Sequence, residues 1–337
     1  MRSVCVVFAA LWLFGPAVLQ ARPADRLAKI RQRGFVTCGV APEIPGFASV
    51  DDQGRYSGLD VDICRAYSAV IFGTPDQVSY RLTSNVREFL QSDDIDVVSR
   101  RLTWELRREG ARGLLFGPVT FYDGQGFLVA RRLAAHNVPA LAAARICVAP
   151  GSGAAANLAA YFRARQLSLR QESLPAGQDL GAAFAAGRCD AYTADVSALG
   201  AIRSRLPNPA DFEILAQQIS KEPLAQLVRQ GDDGFYAIVR WTVFALIGAE
   251  ELGVTSQNVD AMLHSDDPAI QLLLGVVPGN GAALGLDEKW AYDAIKTLGN
   301  YGEIFERNLG ASSRIGLARG LNRLWTDGGL MYAPPLR

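Results

Sequence analysis

A strand–helix alternation runs through this chain, stops, and starts again at Arg145. Val97 and its neighbours show the first pass. Residues 35–40 (FVTCGV) predict a strand. Leu59–Phe72 predicts a helix, because Leu59, Ile63, Ala66, Tyr67 and Val70 share one side. Val78–Leu82 predicts a strand, Asn85–Gln91 a short helix, and Ile95–Ser99 a strand. The second pass predicts strands at Ile146–Ala149, Leu167–Glu172 and Asp190–Thr193. Helices alternate with them at Ala154–Arg165, Asp179–Ala186 and Val196–Ser204, and Phe212–Ala216 reads as extended. A β-α-β-α-β order implies parallel strands joined by right-handed crossovers. Two such passes imply an α/β chain with two lobes.

Between the passes lies Phe116–Val129, extended and aromatic. A second extended passage runs through Ile219–Gln230. Together they suit a two-stranded hinge, by which the chain leaves one lobe, builds the other and returns. The expected division is 25–120 with 226–337 for lobe 1, and 121–225 for lobe 2. Asp233–Arg337 is mostly helical, with its strongest patterns at Phe235–Leu252 and Lys289–Leu309, and is expected to pack on lobe 1. The 337 residues, 49% hydrophobic and 20% charged, are enough for more than one core. Lys+Arg and Asp+Glu both number 34, which gives no electrostatic reason to expect nucleic acid or an anionic membrane as partner.

The N-terminus has its own logic. Met1-Arg2-Ser3 is a short basic start, Val4 to Ala21 is almost wholly apolar, and Arg22-Pro23-Ala24-Asp25 turns polar. That is the layout of a secretory signal peptide over 1–24. A membrane anchor is the competing reading. Gly15-Pro16 interrupts the apolar run and favours cleavage, after Ala21 or Ala24. Cys38, Cys64, Cys147 and Cys189 remain, and an even count in an exported chain points to disulfides. Of the three possible pairings, Cys38–Cys64 with Cys147–Cys189 keeps each bridge within one βα region. Zinc is not expected: no Cys-x-x-Cys spacing occurs, and His136 and His264 are far from any cysteine in sequence.

Bond-breaking chemistry finds no support. There is no Gly-x-Ser-x-Gly elbow, phosphate loop or dinucleotide fingerprint. Acid pairs such as Asp93-Asp94, Asp232-Asp233 and Asp266-Asp267 fall at expected turns. Binding is better supported. Two stretches, Ile95–Arg108 and Cys189–Arg203, share one plan: a short strand, a polar cluster, then a helix. The first delivers Arg108 and the second Asp195, so each half offers one fixed charge. A zwitterion needs that pair, a guanidinium for its carboxylate and a carboxylate for its ammonium. Arg100, Arg101, Leu102 and Thr103 follow a strand, where ligands of doubly wound sheets sit. Gly151, Ser152 and Gly153 open a helix whose free N–H groups attract carboxylates. For Ser152 and Asp195 simple helix capping is the competing role.

Several segments carry a family resemblance: YSGLDVDICRA (56–66), DVVSRRLTW (96–104), FYDGQGFLV (121–129), GRCDAYTAD (187–195) and ISKEPLAQLVRQGDD (219–233). LGNYGEIFERNLG (298–310) and LNRLWTDGGLMYAPPLR (321–337) extend it to the C-terminus. Across them the chain resembles the periplasmic substrate-binding proteins of amino-acid ABC importers, most of all the general L-amino-acid type (solute-binding protein family 3). The resemblance implies a type II two-lobe periplasmic-binding-protein fold, each lobe a doubly wound sheet, closing on one free amino acid. It implies that Arg108 grips the ligand α-carboxylate, Asp195 the α-ammonium, that Thr103 supplies a hydroxyl, and that Ile44 forms an apolar platform. Phe47 is expected to pack. The implied setting is periplasmic, with an inner-membrane ABC permease as partner, the chain a monomer, and no cofactor.

Similar proteins carry Asn-Thr-Thr-Trp where this chain has Arg101-Leu102-Thr103-Trp104, and Gly-Thr-Thr-Thr where it has Gly151-Ser152-Gly153-Ala154. Several ligand-bonding groups are therefore absent, each charge-assisted contact being worth about 1.5–3 kcal/mol. Arg101 is expected to add a charge at the rim. Two alternatives accompany the importer reading. One is a sensor that reports its ligand to a membrane receptor. The other is a small-acid dehydratase using Glu43 or Glu105.

Overall fold

The protein is described as a computed structural model over residues 25–41, 44–83, 86–110, 113–173 and 179–337. The expected signal segment 1–24, with its cleavage positions, lies outside the described residues, as do Glu43 and the expected helix start at Asn85.

Helix α1 (Arg26–Arg33) precedes β1 (Val36–Val40), and the ribbon β2 (Ser49–Val50) and β3 (Tyr56–Ser57) leads into α2 (Leu59–Phe72). Next come β4 (Val78–Leu82), α3 (Val86–Gln91), β5 (Val97–Thr103), α4 (Leu106–Glu109) and β6 (Leu114–Asp123). After Gly124 the second half runs β7 (Gln125–Ala130), β8 (Arg145–Val148), α5 (Gly153–Ala164), β9 (Arg170–Ser173) and α6 (Leu180–Ala185). It continues through β10 (Ala191–Asp195), α7 (Val196–Arg203) and β11 (Phe212–Ile214). The chain returns through β12 (Glu222–Arg229) to the helices α8 (Asp233–Glu251), α9 (Val259–Met262), α10 (Pro268–Leu273) and α11 (Asn280–Leu284). It ends with α12 (Trp290–Leu298), α13 (Tyr301–Asn308) and a coil tail.

Two five-stranded sheets form, ordered β4-β1-β5-β12-β6 and β11-β7-β10-β8-β9. In the first, β1 pairs parallel with β4 and β5. In the second, β8 pairs parallel with β9 and β10. The crossover strands run the other way: β12 is antiparallel to β5 and β6, and β7 to β10 and β11. Four strands of each sheet therefore share one direction, and the all-parallel expectation fails at β12 and β7. The connecting chain enters each sheet from the opposite end.

Strand alternation decides which core each side chain joins. Phe127 and Val129 face one apolar cluster of the second sheet and Leu128 the other. Val97 joins the large core built by α2, α8, α12 and α13, while Val98 and Leu102 join Phe89, Leu114, Phe116 and Leu227 on the opposite face. The single helix expected over Lys289–Leu309 is two. Gly299 turns left-handed (φ 81°), and Asn300 starts α13 with a capping box closed by Glu303. Gly58 before α2 has φ 131°, and a Cβ there would lie 2.2 Å from the Phe47 carbonyl oxygen.

Cys38 and Cys64 are joined, Cα atoms 6.1 Å apart, as are Cys147 and Cys189 at 5.6 Å. The first ties β1 to α2, and the second ties β8 to the approach of β10. The tail crosses the place where the chain changes sheets. Asn322 accepts from the Tyr122 N–H at 2.6 Å and donates to the Tyr122 carbonyl at 3.2 Å. From the second half, Arg203 donates to the Ile315 and Gly316 carbonyls at 2.8 and 2.7 Å. Among the described residues no helix is long and apolar enough to cross a membrane.

Candidate functional site

The site is built on an irregularity in β5. That strand was expected to end at Ser99, but it continues to Thr103. Val98 pairs with Leu227 and Leu102 with Ala225, so β5 takes four steps where β12 takes two. The extra residues are taken up in a bulge that includes Arg101 at φ 54°, a left-handed conformation uncommon outside glycine. Alternation survives the bulge. Leu102 falls with Val98 on the covered face and is 6% exposed, so its side chain packs in the core and is not the cleft residue expected. Arg101 falls with Val97 on the other face.

Arg101 was expected at the rim. Its side chain is instead only 14% exposed, reaching toward Asp195 at the end of β10 in the second sheet and Asp123 at the end of β6 in the first. The bulge aims it inward, and the Phe47 ring holds it there, 5.3 Å from ring centroid to Cζ. Its Nη2 lies 3.4 Å from Asp195 Oδ2 and 3.7 Å from Asp123 Oδ2. Both distances exceed those of a tight charge-assisted bond. Its Nε is buried and has no hydrogen-bond partner. Phe47, expected to pack, does so edge-on against Phe121 at 5.3 Å and also carries the guanidinium.

Asp195 stands at the start of α7 but does not cap it. That task falls to Asp123, at the end of β6. Its Oδ1 accepts from the Ser197 N–H at 3.2 Å and the Gly124 N–H at 2.9 Å, and its Oδ2 accepts from the Ser197 hydroxyl. Because the helix start is satisfied from the crossover, the Asp195 carboxylate is left facing across the cleft, 43% exposed. Sequence reading missed Asp123. Its signal was available in the Asp123-Gly124 pair at a strand end, a turn signature.

Under the bulge runs a buried polar chain. Ser99 Oγ donates to Asp60 Oδ1 at 2.8 Å, while Gln226 Nε2 reaches Thr120 Oγ1 at 3.0 Å and Ser99 Oγ at 3.4 Å. Asp60 Oδ2 is buried without a partner. Burial lifts Asp60 from the usual 3.8 to about 6 against the pull of Ser99 and Arg101. Burial likewise lifts Asp123 to about 6 against Arg101 and Ser197.

The remaining expected residues are placed as follows. Arg108, in α4, donates from Nη1 to the Thr103 carbonyl at 2.8 Å and pairs through Nε with Glu105 at 3.2 Å. The structure thus joins Arg108 to Thr103, while Asp195 is met by Arg101. Glu105 is held by that Arg108 contact. Ile44 forms an isolated bridge with Ala48 and packs against the large core. Ser152 caps α5, accepting from the Ala155 N–H at 3.2 Å. Gly151 (φ 67°) and Gly153 flank it, and a Cβ on either would meet open space. On the second sheet, Gln125 donates to Thr193 Oγ1 at 3.0 Å and to the Ala154 carbonyl at 2.9 Å, linking β7, β10 and α5. Two cavities are prominent, the first of them reaching Asp123. One of about 620 Å³ is lined by Tyr122, Lys221, Pro223 and Arg323. Another, about 510 Å³, lies under the C-terminal Tyr332–Arg337.

Two α/β sheets with reversed crossover strands, and opposite charges meeting between them, define a two-lobe periplasmic-binding-protein fold of type II. The chain belongs to the bacterial extracellular solute-binding proteins, family 3, whose model matches residues 36–307. It is 47% identical over 334 residues to the general L-amino acid-binding periplasmic protein AapJ of Rhizobium johnstonii, covering 96% of this chain and 97% of that one. A solved ABC transporter/periplasmic binding protein from Brucella ovis with glutathione bound superposes with a TM-score of 0.81 at 44% identity. That match covers 93% of this chain and 100% of the other.

Proposed function

We propose that this protein binds a free amino acid or a similar zwitterion in the periplasm and delivers it, as a monomer, to an inner-membrane ABC importer. The lobes divide near residues 120 and 225, and the ligand is held where they meet. The observation that carries this reading is Asp195. It begins a helix without capping it, and it faces a guanidinium of the other sheet at 3.4 Å. A carboxylate so placed is available to an ammonium. Arg108 is the assigned partner of the ligand α-carboxylate, with Thr103 beside it and the Gly151–Gly153 turn on the opposite wall.

The relatives support the reading. AapJ is named for general L-amino acid binding. The Brucella ovis protein holds glutathione, whose γ-glutamyl end carries an ammonium and a carboxylate on one carbon. They are named as binding proteins, which supports a role without bond-breaking; a signal peptide over 1–24 supplies the route of export. The test is a thermal melt of the purified protein with each common L-amino acid. A ligand of the native state raises Tm, by ~2.7 kcal/mol of stability at a hundredfold excess over Kd. At least one amino acid is expected to do so, and Arg108→Ala is expected to abolish the rise. A melt unmoved by every amino acid refutes the reading.

A further inference from the structure

The cleft holds one cation more than a simple zwitterion needs. The reading above uses Arg108 for the ligand carboxylate and Asp195 for its ammonium. Arg101 then has a problem. Within 4 Å its acidic neighbours are Asp195, at 3.4 Å, and Asp123, at 3.7 Å, with the buried Asp60 carboxylate farther off. An ammonium that takes Asp195 removes the nearer of them. Asp123 makes up little of the loss. Three of a carboxylate's about four acceptor positions already take the Gly124 N–H, the Ser197 N–H and the Ser197 hydroxyl, and its Oδ2 stays 3.7 Å from the guanidinium. The Arg101 Nε is buried and unpartnered before any ligand arrives. A guanidinium 14% exposed and short of acceptors needs an anion.

We propose that the ligand supplies it: the protein selects α-amino acids that carry a second, anionic group, and Arg101 is the residue that selects them. This rests on the amino-acid reading of the same site. The ammonium goes to Asp195, the α-carboxylate to Arg108, and the side-chain carboxylate to the Nε–Nη2 edge of Arg101. That edge has the fork geometry that carboxylates match two-pronged. The Phe47 ring at 5.3 Å holds the guanidinium from the far side, so the fork is fixed before the ligand enters. A neutral amino acid takes Asp195 away and returns nothing. A cationic side chain meets Arg101 with like charge.

Calorimetric titration with L-glutamate, its near-isostere L-glutamine, and L-lysine tests this. The wild-type protein is expected to bind glutamate at least ~10-fold tighter than glutamine, the worth of one charge-assisted contact, and lysine weakest. Arg101→Asn is expected to erase the glutamate preference. Asparagine tolerates the left-handed φ of 54°, so the bulge is kept. Arg101→Lys retains the charge without the fork and is expected to keep glutamate ahead of lysine, which separates lost selectivity from lost folding. Glutamine binding as tightly as glutamate overturns the inference and leaves the amino-acid reading standing. So does an Arg101→Asn variant that binds all three ligands tighter in unchanged order, which makes Arg101 a latch. If no amino acid binds the wild type, both fall together.

Discussion

Asp123 is the residue where hinge, helix cap and cleft charge coincide, and its titration should be visible in stability. The perturbation is Asp123→Asn, compared with wild type across pH 4 to 8. In the folded protein burial lifts this carboxyl from the usual 3.8 to about 6. The folded state therefore binds its proton more tightly than the unfolded chain does. The stability so gained is fully present below pH 3.8 and is lost as pH rises through about 6. A tenfold change in acidity is worth ~1.4 kcal/mol, so the loss across this window is about 3 kcal/mol. Asp60 titrates over the same window from the same cause and remains in both proteins. The difference between wild type and variant isolates Asp123. Urea unfolding at each pH is the assay. Asparagine keeps an acceptor for the Gly124 and Ser197 N–H groups, so the variant folds, but its stability should fall less between pH 4 and 7, by about 3 kcal/mol. Parallel pH profiles for the two proteins would refute the argument, because Asp123 would then titrate alike folded and unfolded.

Two more predictions concern the frame. Replacing Cys147 and Cys189 by serine opens a loop of 42 residues and should cost about 4 kcal/mol in the chain-entropy account, read from urea unfolding as a lower midpoint. Equal midpoints would show the bridge to be dispensable. Gly58→Ala forces a Cβ to within 2.2 Å of the Phe47 carbonyl at φ 131°, so the loop that supports Arg101 must move. Its Tm should drop, and ligand binding should weaken even where the protein remains folded; unchanged affinity would detach Phe47 from the site.

The order of strands and helices was legible because each buried strand is a short apolar run between turn signals. Leu59–Phe72 was recovered as a helix to both ends, since Gly58 and Gly73 bound it with conformations that end regular structure. Lys289–Leu309 was misread as one helix because apolar spacing continues through Gly299-Asn300. The break lies in backbone geometry and in the Asn300–Glu303 box, which periodicity does not register. The antiparallel crossover strands were legible as extended but not in direction, since pairing between Leu114–Asp123 and Glu222–Arg229 joins residues about a hundred apart in sequence.

The site was legible in residue type and misread in geometry. Arg101 and Asp195 were both picked out as charged residues after strands, yet their meeting depends on two things no local pattern contains. One is the bulge, which exists only because β5 and β12 pair out of step at Gln226. The other is the surrender of the α7 cap to Asp123, a residue 74 positions earlier than its partner Ser197. Capping frees Asp195 only if the hinge strand ends where α7 begins. The bulge turns Arg101 toward Asp195 only if the sheet keeps alternation through the irregularity. The bulge is set within the first sheet and the cap at the crossover, so the charge pair depends on pairings between residues far apart in sequence. If the sheets part, Arg101 loses the Asp195 carboxylate at 3.4 Å and keeps the Phe47 ring and Asp123, which ends a strand of its own sheet.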